Sequence, residues 1–319
     1  MVSGMAGMMG GTSNDHPPAG IRLGLCCIFR NEPIRFRGIT AKYLKQFSRA
    51  EQFAKLSYLC LENSRHLLAA LRFVHDNGIG AFRVHSPFSP RFTHPDVGYT
   101  ILDLPEHQEI LHILAQVNEY RQRHDIRLSF HPDQFIILSS PISQVVEKSI
   151  QELEYQGMMS AFIGAETITV HGGGKYDDKK SALQRFTKNF HRLSPRVASR
   201  LTLENDDRIY TVRDLLPICT ELKIPLVYDV HHHRCNPDGF SVEQATELAL
   251  QTWNSTGREP YFHLSSPRNG WQGGRPAMHA DYIDPADFPA CWQHLRITVD
   301  IEAKAKELAV LALKRVLNI

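Results

Sequence analysis

No apolar stretch in this 319-residue sequence approaches the roughly eighteen residues that read as a membrane span, so neither a transmembrane segment nor a membrane partner is expected. Cysteine is sparse. The six residues, Cys26, Cys27, Cys60, Cys219, Cys235 and Cys291, form no CxxC pair, which argues against a disulfide framework or a thiolate zinc knuckle and fits a reducing cytoplasm. An excess of one charge is also missing: 36 Lys and Arg against 34 Asp and Glu leave a formal +2, too little to announce a polyanion partner. Any nucleic-acid role must therefore rest on local residues. Internal repeats and low-complexity tracts are absent. The first twenty residues, rich in Met, Gly, Ser and Pro, lack the basic start and long apolar run of a secretory signal. They read as a flexible tail, residues 1–20, before a single domain over 21–319.

What is present is core material, with hydrophobic residues at 42% and aromatics at 9%, which excludes global disorder. Short apolar runs at 21–28, 81–84, 127–131, 166–171, 200–204, 225–230, 261–264 and 296–301 read as strands. Segments with helical spacing alternate with them, over 51–75, 105–123, 143–163, near 182–193, and over 212–222, 242–253 and 303–317. Asn77-Gly78 is expected to stop the first helix. Such alternation specifies either an open doubly wound sheet or a closed barrel. The polar loop 265–281, with three glycines, two prolines and two arginines, suits a functional loop over a site.

The strand ends decide the architecture. His131 closes RLSFH, His171 closes ETITVH, Glu204 closes RLTLE, Asp229 closes PLVYD, His263 closes EPYFH, and Glu302 follows RITVDI. An open sheet gathers its ligands chiefly at one crevice. Contributions from strands three to eight need a ring, and a (β/α)8 barrel carries its site on that C-terminal face.

Imidazoles with carboxylates and no thiolate suit Zn, Mn or Fe and predict a multinuclear hydrolytic centre, with a phosphate ester as substrate. Glu204 follows residues expected to be buried, where a carboxylate is costly unless paired or metal-bound. Asp229 and His232 leave their strand three residues apart, with His231 and His233 as possible substitutes for His232. Read alone, Glu302 is equally a surface carboxylate pairing Lys304 or Lys306, and His94 and His279, in loops, read as solvent-exposed. Gly172-Gly173-Gly174-Lys175 is a weak candidate for a phosphate cradle. Arg30, Arg35 and Arg37, interleaved with Phe29 and Phe36, suit either phosphate contacts with base stacking or a solvated basic loop.

The segments Ser129-Phe130-His131-Pro132-Asp133-Gln134-Phe135, Val170-His171-Gly172-Gly173, Leu203-Glu204-Asn205-Asp206 and Asp229-Val230-His231-His232-His233 resemble the UV damage endonuclease family. The resemblance runs from Arg22-Leu23-Gly24 to Glu302-Ala303-Lys304. It implies a TIM barrel like that of endonuclease IV, two or three divalent ions, expected to be Mn2+ with Zn2+ as the alternative, and damaged double-stranded DNA as partner. The implied reaction is nicking on the 5′ side of cyclobutane dimers and 6-4 photoproducts. Carried over by motif, the metal ligands are His94, His131, His171, Glu204, Asp229, His232, His263, His279 and Glu302. Glu204, Asp229 and Glu302 are the catalytic carboxylates among them. Gln134 and Phe135 correspond to a Gln-Tyr pair that fills the gap left by a flipped dinucleotide, and Arg30 and Lys175 are candidate DNA contacts.

The sequence departs from the family pattern in three places. Phe135 lacks the tyrosine hydroxyl, Tyr261 stands where some members carry a modified lysine, and Leu25-Cys26-Cys27-Ile28-Phe29-Arg30 lacks the lesion-contacting Tyr and Asn of the first strand. The rival readings are an abasic-site nuclease, a metal-dependent sugar isomerase and a non-catalytic lesion binder. A monomer without an obligate protein partner is expected.

Overall fold

The computed structural model describes residues 20–176 and 178–319, so the tail assigned to residues 1–20 lies, Gly20 apart, outside the described residues. Eight parallel strands close in chain order: β1 (Ile21–Cys26), β2 (Ala81–Val84), β3 (Arg127–Phe130), β4 (Thr167–His171), β5 (Leu201–Glu204), β6 (Leu226–Asp229), β7 (Tyr261–Leu264) and β8 (Ile297–Ile301). Pairing of β1 with β8, Gly24 beside Asp300, shuts the ring and confirms the TIM barrel. Among the described residues no helix is long and apolar enough to cross a membrane.

Each strand is polar on one face and apolar on the other. Leu128, Phe130, Ile168, Val170, Leu201, Leu203, Phe262, Leu264, Val299 and Ile301 join the buried cluster between strands and helices. The alternate residues, Arg127, Ser129, Thr167, Thr169, Thr202, Tyr261, Thr298 and Asp300, are equally buried but face the lumen, since side chains alternate along a strand. TIM barrels usually fill that space with branched aliphatics. Here Thr202 donates at 2.9 Å to Thr169, its register partner on the neighbouring strand.

Charged groups close the N-terminal end of the lumen. Arg127 donates to Glu166 and to Thr298, both at 2.7 Å, and Thr298 donates to Glu259 at 2.6 Å. Arg22 reaches Glu259 at 3.2 Å and Asp125 at 2.7 Å. Burying such charges is tolerable because each has an opposite partner and hydrogen bonds.

Helix boundaries depart from expectation where caps decide them. The helix expected over 51–75 runs Arg49–Asp76, because Ser48 and Glu51 form a reciprocal capping box two residues earlier. Asn77 and Gly78, with φ +62°, end it as expected. The last helix begins at Glu307 instead of 303, because Lys306 takes φ 55° and ψ −123°, values foreign to a helix. A six-residue helix, Val230–Cys235, starts directly after β6 with Asp229 as its cap.

Candidate metal centre

At the C-terminal mouth, Glu204 is the hub. It is fully buried, and its two carboxylate oxygens face four imidazoles. His131 Nε2 lies 2.6 Å from Oε2 and His171 Nε2 lies 3.8 Å from it; His263 Nδ1 is 2.9 Å and His232 Nδ1 3.4 Å from Oε1. Register explains the convergence: His171 pairs with Glu204 across β4 and β5, and Asp229 with His263 across β6 and β7. Burial alone would push the Glu204 carboxyl up, but His263, His171 and His131 outweigh it and hold the group well below the carboxylate range.

Asp229 turns inward because its Oδ1 accepts from the backbone N–H of His232 at 2.7 Å, fixing the side chain at the start of the short helix. That turn carries the His232 ring to within 3.5 Å of Asp229 Oδ2. His232, not its neighbours, is therefore the histidine of this segment at the site. His233 points away to Tyr228, 2.6 Å from its hydroxyl, and His231 is buried against Trp271 and His279. The loop 265–281 folds back on itself, with Pro267 bridging His279, and places His279 Nδ1 3.7 Å from Glu302 Oε2.

Three groups have donor atoms near enough to share an ion: His131, His171 and Glu204; Glu204, Asp229 and His232; Glu204, His263 and Glu302. The fit to metal has independent support. Asp229 Oδ2 is buried without a hydrogen-bond partner, a costly state for a carboxylate oxygen that water would otherwise solvate. The donor set, histidine and carboxylate without thiolate, suits Mn2+ or Zn2+.

His94 is not brought to this cluster. Its Nδ1 accepts from the backbone N–H groups of Asp96 and Val97, at 3.1 and 3.4 Å, and so closes a local turn. The ring lines a cavity of about 720 Å³ with His85, Arg91 and Glu152, in which none of the other candidate ligands takes part. Motif position carried His94 into the set; in this structure its loop conformation holds the ring apart from the cluster.

Arg83 is the residue that the sequence reading missed. In β2 it donates to Asp300 at 3.0 Å, to Glu302 at 2.6 Å and to His263 Nε2 at 2.8 Å. Glu302 is thus partnered by Arg83, not by Lys304 or Lys306. An arginine inside Ala81-Phe82-Arg83-Val84 and an aspartate inside Ile297-Thr298-Val299-Asp300-Ile301 were the available signals. A Cβ on Gly24 would collide with Asp300 Oδ1, so the pair needs glycine at that position.

The loops around the mouth separate into two kinds. Gln134 and Phe135 are exposed, Phe135 by 71%, so an apolar ring stands free in solvent. Phe29 does not. It is buried against Phe73 and Phe82, while Phe36 packs on Phe82 and Phe88, so neither is a stacking platform for bases. Arg35 donates to backbone carbonyls of Glu32 and Ile34, ordering its own loop. Arg30 and Lys175 are exposed. The glycines before Lys175 serve packing: a Cβ on Gly172 would meet the Tyr210 ring at 2.6 Å, and Gly173 has φ +85°. Tyr261 lies in the lumen beneath Arg127, whose guanidinium sits 4.0 Å from the ring centroid, so it belongs to the lower network and not to the metal groups.

Fold and site together define a TIM barrel with a histidine–carboxylate centre at its mouth. The family pattern described as UV-endonuclease UvdE matches residues 21–319, and the chain belongs to that family. It is 34% identical to the UV DNA damage endonuclease of Bacillus velezensis over 282 residues, 86% of this chain and 85% of that one. The Bacillus mycoides UV DNA damage endonuclease is 31% identical over 278 residues, 84% and 85% of the two chains. Among solved structures, SacUVDE superposes with a TM-score of 0.82 at 27% identity, covering 94% of this chain and 98% of its own. Endonuclease IV from Thermus thermophilus shares the fold, with a TM-score of 0.57 at 16% identity over 93% and 97% of the chains. This is a DNA-cleaving family, and DNA is the substrate class it implies.

Proposed function

We propose that this protein nicks damaged duplex DNA on the 5′ side of UV photoproducts, cyclobutane dimers and 6-4 photoproducts, by divalent-metal-dependent hydrolysis of the phosphodiester. The observation that carries the reading is Glu204, a buried carboxylate shared by all three metal-competent groups, in a chain of the UV-endonuclease family. His131, His171, Glu204, Asp229, His232, His263 and Glu302 would hold two or three ions, with Mn2+ expected. His279, beside Glu302, completes the proposed set, and His94 is left outside it. Bound ions would supply Lewis-acid activation of water and neutralise charge at the scissile phosphate.

The chain's own residues do the rest. Arg83 and Asn205 orient the ligands: Asn205 Oδ1 accepts from the Asp229 N–H at 3.0 Å, and its carbonyl lies 3.0 Å from His232 Nδ1. Such supporting contacts typically govern metal affinity by 10–100-fold. Exposed Phe135 beside Gln134 offers an apolar wedge for the stack vacated when damaged nucleotides swing out, which costs less for a lesion than for paired bases. A protein of this kind works in the compartment that holds the DNA, the cytoplasm of a bacterial cell, and needs no second chain to complete the centre.

The test is nicking of a duplex carrying one defined photoproduct, with Mn2+ and with chelator. Cleavage with the metal and none with chelator is expected; equal inertness in both overturns the reading. A second substrate class, abasic sites, is favoured by the end of β1, where Cys26 and Phe29 are buried and no lesion-contacting Tyr or Asn stands. Competition between photoproduct and abasic duplexes decides between them.

A further inference from the structure

Beside the metal groups lies a second depression of about 390 Å³, lined by Cys26 and Cys27, by Met278 and His279, and by Glu302, Lys304 and Lys306. Its construction points to an anion. Lysines beside a carboxylate ordinarily neutralise it, yet Glu302 already has Arg83 at 2.6 Å, and among the described residues neither Lys304 nor Lys306 joins an ion pair. Two ammonium groups are thereby left uncommitted at the edge of the cluster.

The walls are held in place. Glu307, buried at the start of the last helix, accepts from the backbone N–H groups of Arg30 and Asn31, both at 2.7 Å, and ties the loop after β1 to the segment that carries the lysines. Between them, Lys306 adopts φ 55° and ψ −123°, outside the regions that a side chain with a Cβ ordinarily occupies. Strain of this kind persists when the surroundings over-determine it and gathers at functional sites. One short stretch thus supplies the cluster carboxylate (Glu302), two free cations (Lys304 and Lys306) and the clamp (Glu307).

We propose that this depression seats a backbone phosphate of the DNA strand next to the scissile one, and that Lys304 and Lys306 are its anion-holding residues. The proposal rests on the nuclease reading above. It makes the two lysines responsible for placing the strand across Glu302 and His279, with no part in holding metal.

The experiment measures binding of a photoproduct duplex to Mn2+-loaded wild type, to Lys304→Met/Lys306→Met and to Lys304→Arg/Lys306→Arg across a range of salt, with bound metal and nicking recorded in parallel. Each neutralised phosphate contributes about 0.9 to the slope of log K against log salt, so the Met pair, which empties one seat, should lose about 0.9 and the Arg pair should keep the wild-type slope. Metal content should be equal in all three, which separates strand placement from damage to the centre. An unchanged slope in the Met pair, a loss not restored by arginine, or absence of duplex binding by wild type overturns the proposal. Should wild type bind and fail to nick, while the Met pair loses its slope, the phosphate seat stands and the nuclease reading falls.

Discussion

The two ends of the barrel hold similar residues in opposite conditions. At the N-terminal end, Arg22, Arg127, Glu166 and Glu259 are partnered by one another and by Thr298. At the C-terminal end, Glu204 sits among imidazoles while Asp229 Oδ2 stays buried without a hydrogen bond. A network whose charges partner one another stabilises the fold and leaves no free charge for a ligand, even though the Tyr261 hydroxyl within it has no partner. One that leaves buried lone pairs uncommitted costs stability and is fitted to receive a cation. Arg83 and Asp300 mark the boundary between them, one layer below the ligands.

The comparison can be broken by exchanging the expected roles. Arg127→Met should have the largest effect, a loss of about 3 kcal/mol of stability from removing the buried cation that half-buried Glu166 and Glu259 share, read by denaturant unfolding. Nicking per folded molecule should be unchanged; a selective loss of nicking would mean that the lower network is part of the site. Glu204→Gln should do the reverse. It should lower nicking by at least roughly 100-fold, the upper range for supporting contacts alone, and leave the unfolding midpoint of the metal-free protein nearly unmoved. Phe135→Ala should weaken binding to a photoproduct duplex by about 1–3 kcal/mol, the worth of one stacked ring, without altering thermal stability. Equal binding by that variant would remove the wedge from the proposal.

Acid sharpens the contrast in a subtler way. Burial pushes the Glu259 carboxyl up, but the hydrogen bond from Thr298 and the charges of Arg127 and Arg22 outweigh it and hold the group below the ordinary value. The folded state therefore takes up this proton later than the unfolded chain does. Its stabilisation is fully present above the ordinary glutamate value, near pH 4.3, and is lost as pH falls through the lower, folded value. In Glu259→Gln, unfolding measured between neutral and acid pH should lose part of that slope; an identical slope would show that Glu259 is not a titrating member.

Much of this arrangement is legible in the sequence because a strand's period-two pattern survives burial. Thr202 and Glu204, or Thr169 and His171, announce a polar inward face, and the order of the strands then places six ligand-type side chains at one mouth. What the pattern does not carry is cross-strand registry over long separations. Nothing in β2 names Asp300 as the partner of Arg83, 217 residues away. Loop conformation is equally silent: His94 and His279 look alike in sequence, yet only the Pro267–His279 bridge delivers its histidine to the cluster. Phe29 and Phe36 read equally as stacking platforms or as part of a solvated basic loop, whereas tertiary packing buries Phe29 and half-buries Phe36. Lys306 shortens the last helix by a backbone conformation that propensity scales do not anticipate.

The membership of Glu204 in all three ligand groups has one more consequence. Sites that share a carboxylate cannot fill independently, because whatever an ion at one does to the affinity of another is returned in equal measure by linkage. Calorimetric titration of the stripped protein should then depart from a sum of identical, separate isotherms. Such a centre has no single dissociation constant, only a coupled set, and the amount of free metal in the cell would act on it as a collective variable.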